Sequence, residues 1–149
     1  MNNEMIAMNY FRNGFNCAQS VLASYKDELS INEDDLLKIS CGFGGGMARM
    51  QNTCGAVSGA YMVIGSKYGK CNKDDNEARE KTYSLVREFD LEFRKVHKTS
   101  NCMELIGCNL LTEEGKKYFK DNNLLEKVCM KCIESSVKIL NTLIDWERA

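Results

Sequence analysis

Ala78–Val96, AREKTYSLVREFDLEFRKV, is the stretch that decides the fold class. Ala78, Thr82, Leu85, Val86, Phe89, Phe93 and Val96 recur at steps of four, three, one, three, four and three. That is one face of a long helix, and Glu80, Lys81, Arg87, Glu88, Glu92 and Arg94 occupy the other. Asp74 or Asp75 is placed to cap its start. A second long helix is expected over about Leu124–Trp146, carried by Leu125, Val128, Ile133, Val137, Leu140, Leu143, Ile144 and Trp146.

Outward from these two, shorter helices are expected at Glu4–Phe11, Cys17–Tyr25, Glu33–Cys41, Cys54–Lys67, Cys102–Ile106 and Glu113–Phe119. Turns containing Gly, Asn and Asp separate them. No strand pattern, proline, repeat or low-complexity tract interrupts the series. The expectation is an all-α domain spanning 1–149, a bundle of six to eight helices, some short. A Gly-rich loop, CGFGGGMARMQN (Cys41–Asn52), is its main irregular stretch.

A chain of 149 residues suits one domain and a core that needs no disulfide staples. Twenty basic against 21 acidic residues give a net charge of −1, which points away from nucleic acid and anionic membrane as partners. The apolar run Ala56–Gly65 is too short to cross a bilayer. MNNEMIAMNYFRNGF has no basic stretch leading into an apolar one, so a secretory signal is not expected and the cytoplasm is the expected location.

Eight cysteines are many for such a chain. In a reducing compartment they point to metal binding or redox chemistry. About half are expected to be small core residues instead. Three follow a polar helix starter. Asn16-Cys17-Ala18-Gln19 and Asn101-Cys102-Met103-Glu104 resemble capping boxes, and Thr53-Cys54 has the cap alone. Each cysteine is expected at the first helical position, where free backbone N–H groups favour a thiolate.

After Cys54, the pairs Gly55/Gly59 and Ala56/Ala60 predict a close helix crossing. CMKC places Cys129 and Cys132 on one helix face, with no βαβ pattern to make them a thioredoxin-type motif. Cys102, Cys108, Cys129 and Cys132 match a structural zinc site only loosely, because the first pair is too widely spaced.

Gly44, Gly45 and Gly46 lack a phosphate-loop spacing and follow no strand. They are expected to let the loop fold over Cys54, with Arg49 favouring its thiolate. His97, the single histidine, is expected to be solvated rather than a ligand. No paired carboxylates or Ser–His–Asp set stands out.

FNCAQSV, GFGGGMARMQNTCGAVSGAYMVIGSKYG, SNCMELIG and CMKCIESSVKIL occur in that order. Together they resemble the C_GCAxxG_C_C family of redox-active proteins, from about Phe11 to Leu140. By motif the family's four cysteines fall on Cys17, Cys54, Cys102 and Cys129, with Cys132 and Cys108 as alternates. Cys129 fits better than Cys132 because Ile133, Ser136, Ile139 and Leu140 follow it at the family's spacing. Cys41, Cys71, Cys108 and Cys132 are additional.

The resemblance implies a redox role and a genomic link to membrane transporters. A similar domain accompanies the haem domain of split-Soret cytochromes, where it is associated with an iron–sulfur centre. This chain has no CxxCH haem attachment site. The leading expectation is four cysteines converging on one site, as a thiol–disulfide couple or as iron–sulfur ligands, with zinc ranking behind. The alternatives are a metal-binding module without turnover and an interaction domain with buried cysteines. Whether the chain is an oxidoreductase or an electron carrier, and who its redox partner is, the sequence leaves open.

Overall fold

The structure, a computed structural model, describes residues 2–147. Among these, nine helices and no strand are present, so the protein is all-α. They are α1 (Asn3–Arg12), α2 (Cys17–Ala23), α3 (Lys26–Leu29), α4 (Glu33–Ser40), α5 (Gly55–Tyr68), α6 (Asn76–His97), α7 (Cys102–Ile106), α8 (Glu113–Asp121) and α9 (Met130–Leu143). Only the single turn α3 has no counterpart in the sequence reading. No helix of the described residues is long and apolar enough to cross a membrane.

The long helix α6 starts where an aspartate can stop it fraying. Asp75 accepts from the Ala78 N–H at 3.1 Å. Leu85, Phe89 and Phe93 are buried from it, and Phe89 stacks on Phe93 with ring centroids 6.1 Å apart. Burying each such side chain contributes about 1.5–3 kcal/mol. Val96, expected on the same face, is exposed.

α9 is shorter than its apolar pattern suggests. Its first expected turns, Leu125–Cys129, form a π-helical turn, and the helix ends at Leu143. Cys132, Ile133, Val137 and Leu140 are buried from it. Beyond its end, Trp146 stacks on Tyr25 at 5.1 Å, and the Tyr25 hydroxyl donates to Asn141 Oδ1 at 2.8 Å.

α5 is central. It packs on α2, α6 and α9, while α1 packs on α2 and α9. All six residues from Gly55 to Ala60 are buried, whichever face they occupy. The glycines make this feasible. A Cβ on Gly59 would lie 2.8 Å from the Ala18 carbonyl oxygen. One on Gly55 would lie 3.1 Å from Ala18 N and from Cys17 Cβ. The expected close crossing is therefore with α2, and it carries the start of α5 onto the start of α2, where two cysteines lie.

Candidate thiol redox site

Cys17 opens α2 beneath a complete capping box. The Gln19 N–H donates to Asn16 Oδ1 and the Asn16 N–H to Gln19 Oε1, each at 3.0 Å. The Asn16 amide also donates to the Cys41 carbonyl at 2.9 Å, tying the end of α4 to this cap. Cys102 opens α7 with half a box. The Glu104 N–H donates to Asn101 Oδ1 at 3.0 Å, but the Asn101 N–H turns to Thr99 Oγ1.

Cys54 departs from expectation. It is the residue before the first turn of α5, not the first residue in it, and Thr53 does not cap the helix. Thr53 instead forms an isolated antiparallel bridge with Asn101. Around that bridge the Cys54 N–H donates to the Ser100 carbonyl at 2.7 Å and the Cys102 N–H to the Asn52 carbonyl at 2.6 Å. Two backbone hydrogen bonds thus hold the α5 and α7 starts side by side. The polar residues there were readable as caps, but the pairing joins segments far apart in sequence.

The Gly-rich loop closes over these starts. A Cβ on Gly46 would lie 2.6 Å from Cys102 Cβ, and Gly46 has φ +66°. Met47, Ala48, Arg49 and Gln51 also have positive φ. Such a cluster costs on the order of 1–3 kcal/mol per residue and persists only where surroundings enforce it. Gln51 is the enforcer that sequence reading missed. It is buried, its amide donates to the Cys108 carbonyl at 2.7 Å, and its Oε1 accepts from the Leu110 N–H at 2.7 Å. Nothing in the local sequence marks it.

Cys17, Cys54, Cys102, Cys129 and Cys132 all line one small cavity of about 40 Å³. Gly45, Gly46, Gly55, Leu105, Ile106, Leu110 and Val128 complete its wall, with no charged side chain. Cys132, weighed in the sequence as a substitute for Cys129, belongs beside it: the two lie one helical turn apart and both face inward. Four of the eight cysteines, Cys17, Cys54, Cys102 and Cys132, are buried in the core, about the half expected. Every buried cysteine lines this cavity, while Cys41 and Cys71 are exposed and Cys108 is half-buried.

The thiols form two hydrogen-bonded pairs, Cys17 with Cys129 and Cys54 with Cys132. The bond from Cys132 holds the Cys54 thiol below its ordinary pKa; burial opposes this, and the Ala56 and Val57 N–H groups add to it. The same bond, with burial, pushes Cys132 far up. Cys17 is pushed well up by its bond to Cys129 and then by burial. Cys102 rises to about 12, chiefly through burial. A lowered thiol pKa at all three helix starts, expected from the sequence, therefore holds for Cys54 alone. The short helix α2 does not outweigh the bond to Cys129 and burial at Cys17, and the short helix α7 does not outweigh burial at Cys102.

Arg49 is absent from the causes of the Cys54 shift; it lies in an outer cleft with Cys17, Cys41 and Cys129. His97 is half-buried rather than solvated. Its Nε2 is 2.8 Å from Ser135 Oγ, its ring lies 4.6 Å from that of Phe93, and burial lowers its pKa.

Thiols in an apolar cavity are the right donor type for iron or zinc. Their placement does not fit either. Among the described residues no three of His, Cys, Asp or Glu are grouped to hold a metal ion.

No curated protein and no solved structure matches this chain. The model of the family described as "Putative redox-active protein (C_GCAxxG_C_C)" matches residues 15–143, and the chain belongs to that family.

Proposed function

We propose that the protein is a thiol–disulfide redox protein, with Cys54 and Cys132 as an inner couple and Cys17 and Cys129 as an outer one. The observation that carries this is the pairing itself: each buried donor thiol faces one acceptor sulfur, and the inner acceptor is the one thiol whose pKa is lowered. A thiolate is the nucleophile in exchange, and a partner thiol within contact resolves the mixed disulfide.

Access orders the steps. Cys54 and Cys132 are buried, while Cys129 is half-buried and lines the outer cleft as well as the cavity. An external disulfide therefore meets the outer couple. The Cys54 thiolate then attacks the Cys17–Cys129 bond, forming a mixed disulfide with one of the two sulfurs and releasing the other, and Cys132 attacks Cys54 Sγ, displacing the sulfur bound there and closing Cys54–Cys132. Two electrons pass outward from the inner couple to the outer one, and the two protons that the inner couple gives up go with them. Cys102, held neutral, supports the apolar wall.

The test is anaerobic purification, oxidation by a small disulfide, and mapping of disulfide-linked peptides. The expected linkages are Cys17–Cys129 and Cys54–Cys132. A brown protein with stoichiometric iron and sulfide, its five thiols unreactive, overturns this reading in favour of a cluster.

A further inference from the structure

Outside the thiol cavity lies a cleft of about 360 Å³ that shares Cys17, Gly45, Leu110 and Cys129 with it. A cleft of this volume suits a small molecule. Its walls are sharply divided in character. Phe11, Leu110, Phe119 and Leu125 give an apolar side. Arg49 is the one charged residue lining it, and among the described residues its guanidinium makes no ion pair or hydrogen bond. Cys129 and Cys17 lie at the base, where the cleft meets the inner cavity, and exposed Cys41 also lines it.

An unpartnered guanidinium beside an apolar wall selects an anion with an apolar body. Gly45 keeps the guanidinium arm close: a Cβ there would lie 3.0 Å from Arg49 Cγ. Arg49 also has φ +64°, a conformation rare for a long side chain and maintained here by its N–H bond to the Gly44 carbonyl at 3.2 Å.

We propose that this cleft binds small organic disulfides carrying a carboxylate, with the carboxylate on Arg49, the apolar body against Phe11 and Phe119, and the S–S bond over Cys129. This rests on the thiol–disulfide reading and adds the substrate class to it. Cys129, its proton lost to solvent at the cleft, attacks the nearer sulfur. A Cys129–substrate disulfide forms, the substrate S–S bond breaks, and one thiolate leaves. Cys17 gives its proton to that thiolate and attacks Cys129 Sγ, forming Cys17–Cys129 and releasing the second thiolate, which is protonated by solvent. Two protein thiols lose two electrons, and the bound disulfide becomes two thiols.

The test mixes fully reduced protein at low ionic strength with three reagents: dithiobis(nitrobenzoate), which is anionic; dithiodipyridine, which is neutral; and cystamine, which is cationic. Each rate is divided by that reagent's rate with a free small thiol. The anionic reagent is expected to be favoured over the neutral one by about tenfold. Arg49→Gln should lower that ratio toward one, Arg49→Lys should retain part of it, and Arg49→Glu should turn the preference toward cystamine. An anionic-to-neutral ratio in Arg49→Glu equal to that of the unaltered protein overturns the cleft assignment. If none of the three reagents yields the Cys17–Cys129 linkage, the thiol–disulfide reading itself fails.

Discussion

Cys54 and Cys102 stand side by side at helix starts, joined by one short piece of backbone pairing, yet their thiols are pushed in opposite directions. Both are buried. Cys54 receives a hydrogen bond from Cys132 and faces the N–H groups of a 14-residue helix. Cys102 opens a five-residue helix and gains no such bond among the causes of its shift. Position at a helix start is thus a weak determinant here. A donor thiol on a distant helix is the stronger one.

The juxtaposition itself is the easiest part to break. Gly46 combines a positive φ with a close approach to Cys102 Cβ, Gln51 Cα and Asn52 N. Gly46→Ala therefore cannot fit without moving the loop or α7. A loss of about 2–4 kcal/mol is expected in denaturant unfolding of the reduced protein. A change under 0.5 kcal/mol would show that the loop does not clamp the Cys102 start.

Alkaline titration separates the two thiols next. A thiol whose folded pKa is raised binds its proton longer in the folded state. Its contribution is complete below the unfolded value of about 8.5 and is lost as pH rises toward the folded value. For Cys102 that window runs from about 8.5 up to about 12. Cys54 has the opposite sign: its contribution is present above its unfolded value and lost as pH falls through its lower folded value. Above about pH 8.5, Cys102→Ser should flatten the fall in stability by about 1.4 kcal/mol per pH unit, and Cys54→Ser should not. Unfolding curves across this range, under a phosphine reductant, decide it. Equal flattening in both variants would remove the distinction.

The helices were legible because their signals are local. Asp75, Asn16 and Asn101 cap where the sequence places caps, and Phe89 and Phe93 recur at helical spacing. The crossing of α2 and α5 was legible too, since Gly55 and Gly59 have few other reasons to lie in a helix. The site was legible as a set of cysteines but not as a set of pairs. The partner of Cys54 lies 78 positions away on another helix, and the π-helical turn that ends at Cys129 lets both thiols of CMKC face inward. Thr53 misled because its residue type suits a cap equally well as an edge pairing. Gln51 was invisible because its partners, Cys108 and Leu110, come from a loop with no recognisable pattern.

Removing the donor sharpens the contrast more directly. Cys132→Ala takes away the bond that comes first among the causes of the Cys54 shift and leaves the two backbone N–H groups. The Cys54 pKa should rise toward its ordinary value, because burial, which opposes the shift, remains. Peptide-resolved alkylation against pH reads this at Cys54 alone. An unmoved profile would assign the thiolate to the helix start after all.

The smallest effect compares the caps that position the other two starts. Asn16 satisfies the Gln19 N–H, completes a reciprocal box and holds the Cys41 carbonyl. Asn101 satisfies only the Glu104 N–H, and the neighbouring backbone pairing already fixes Cys102. Asn16→Ala should therefore cost about 1–2 kcal/mol and Asn101→Ala about 0.5–1 kcal/mol, within the usual range for such caps. Thermal unfolding of the two variants at one pH gives the difference. If Asn101→Ala proves the more damaging, the α7 start depends on its cap rather than on its pairing with Asn52, and the rigid junction of Cys54 with Cys102 is local to α7.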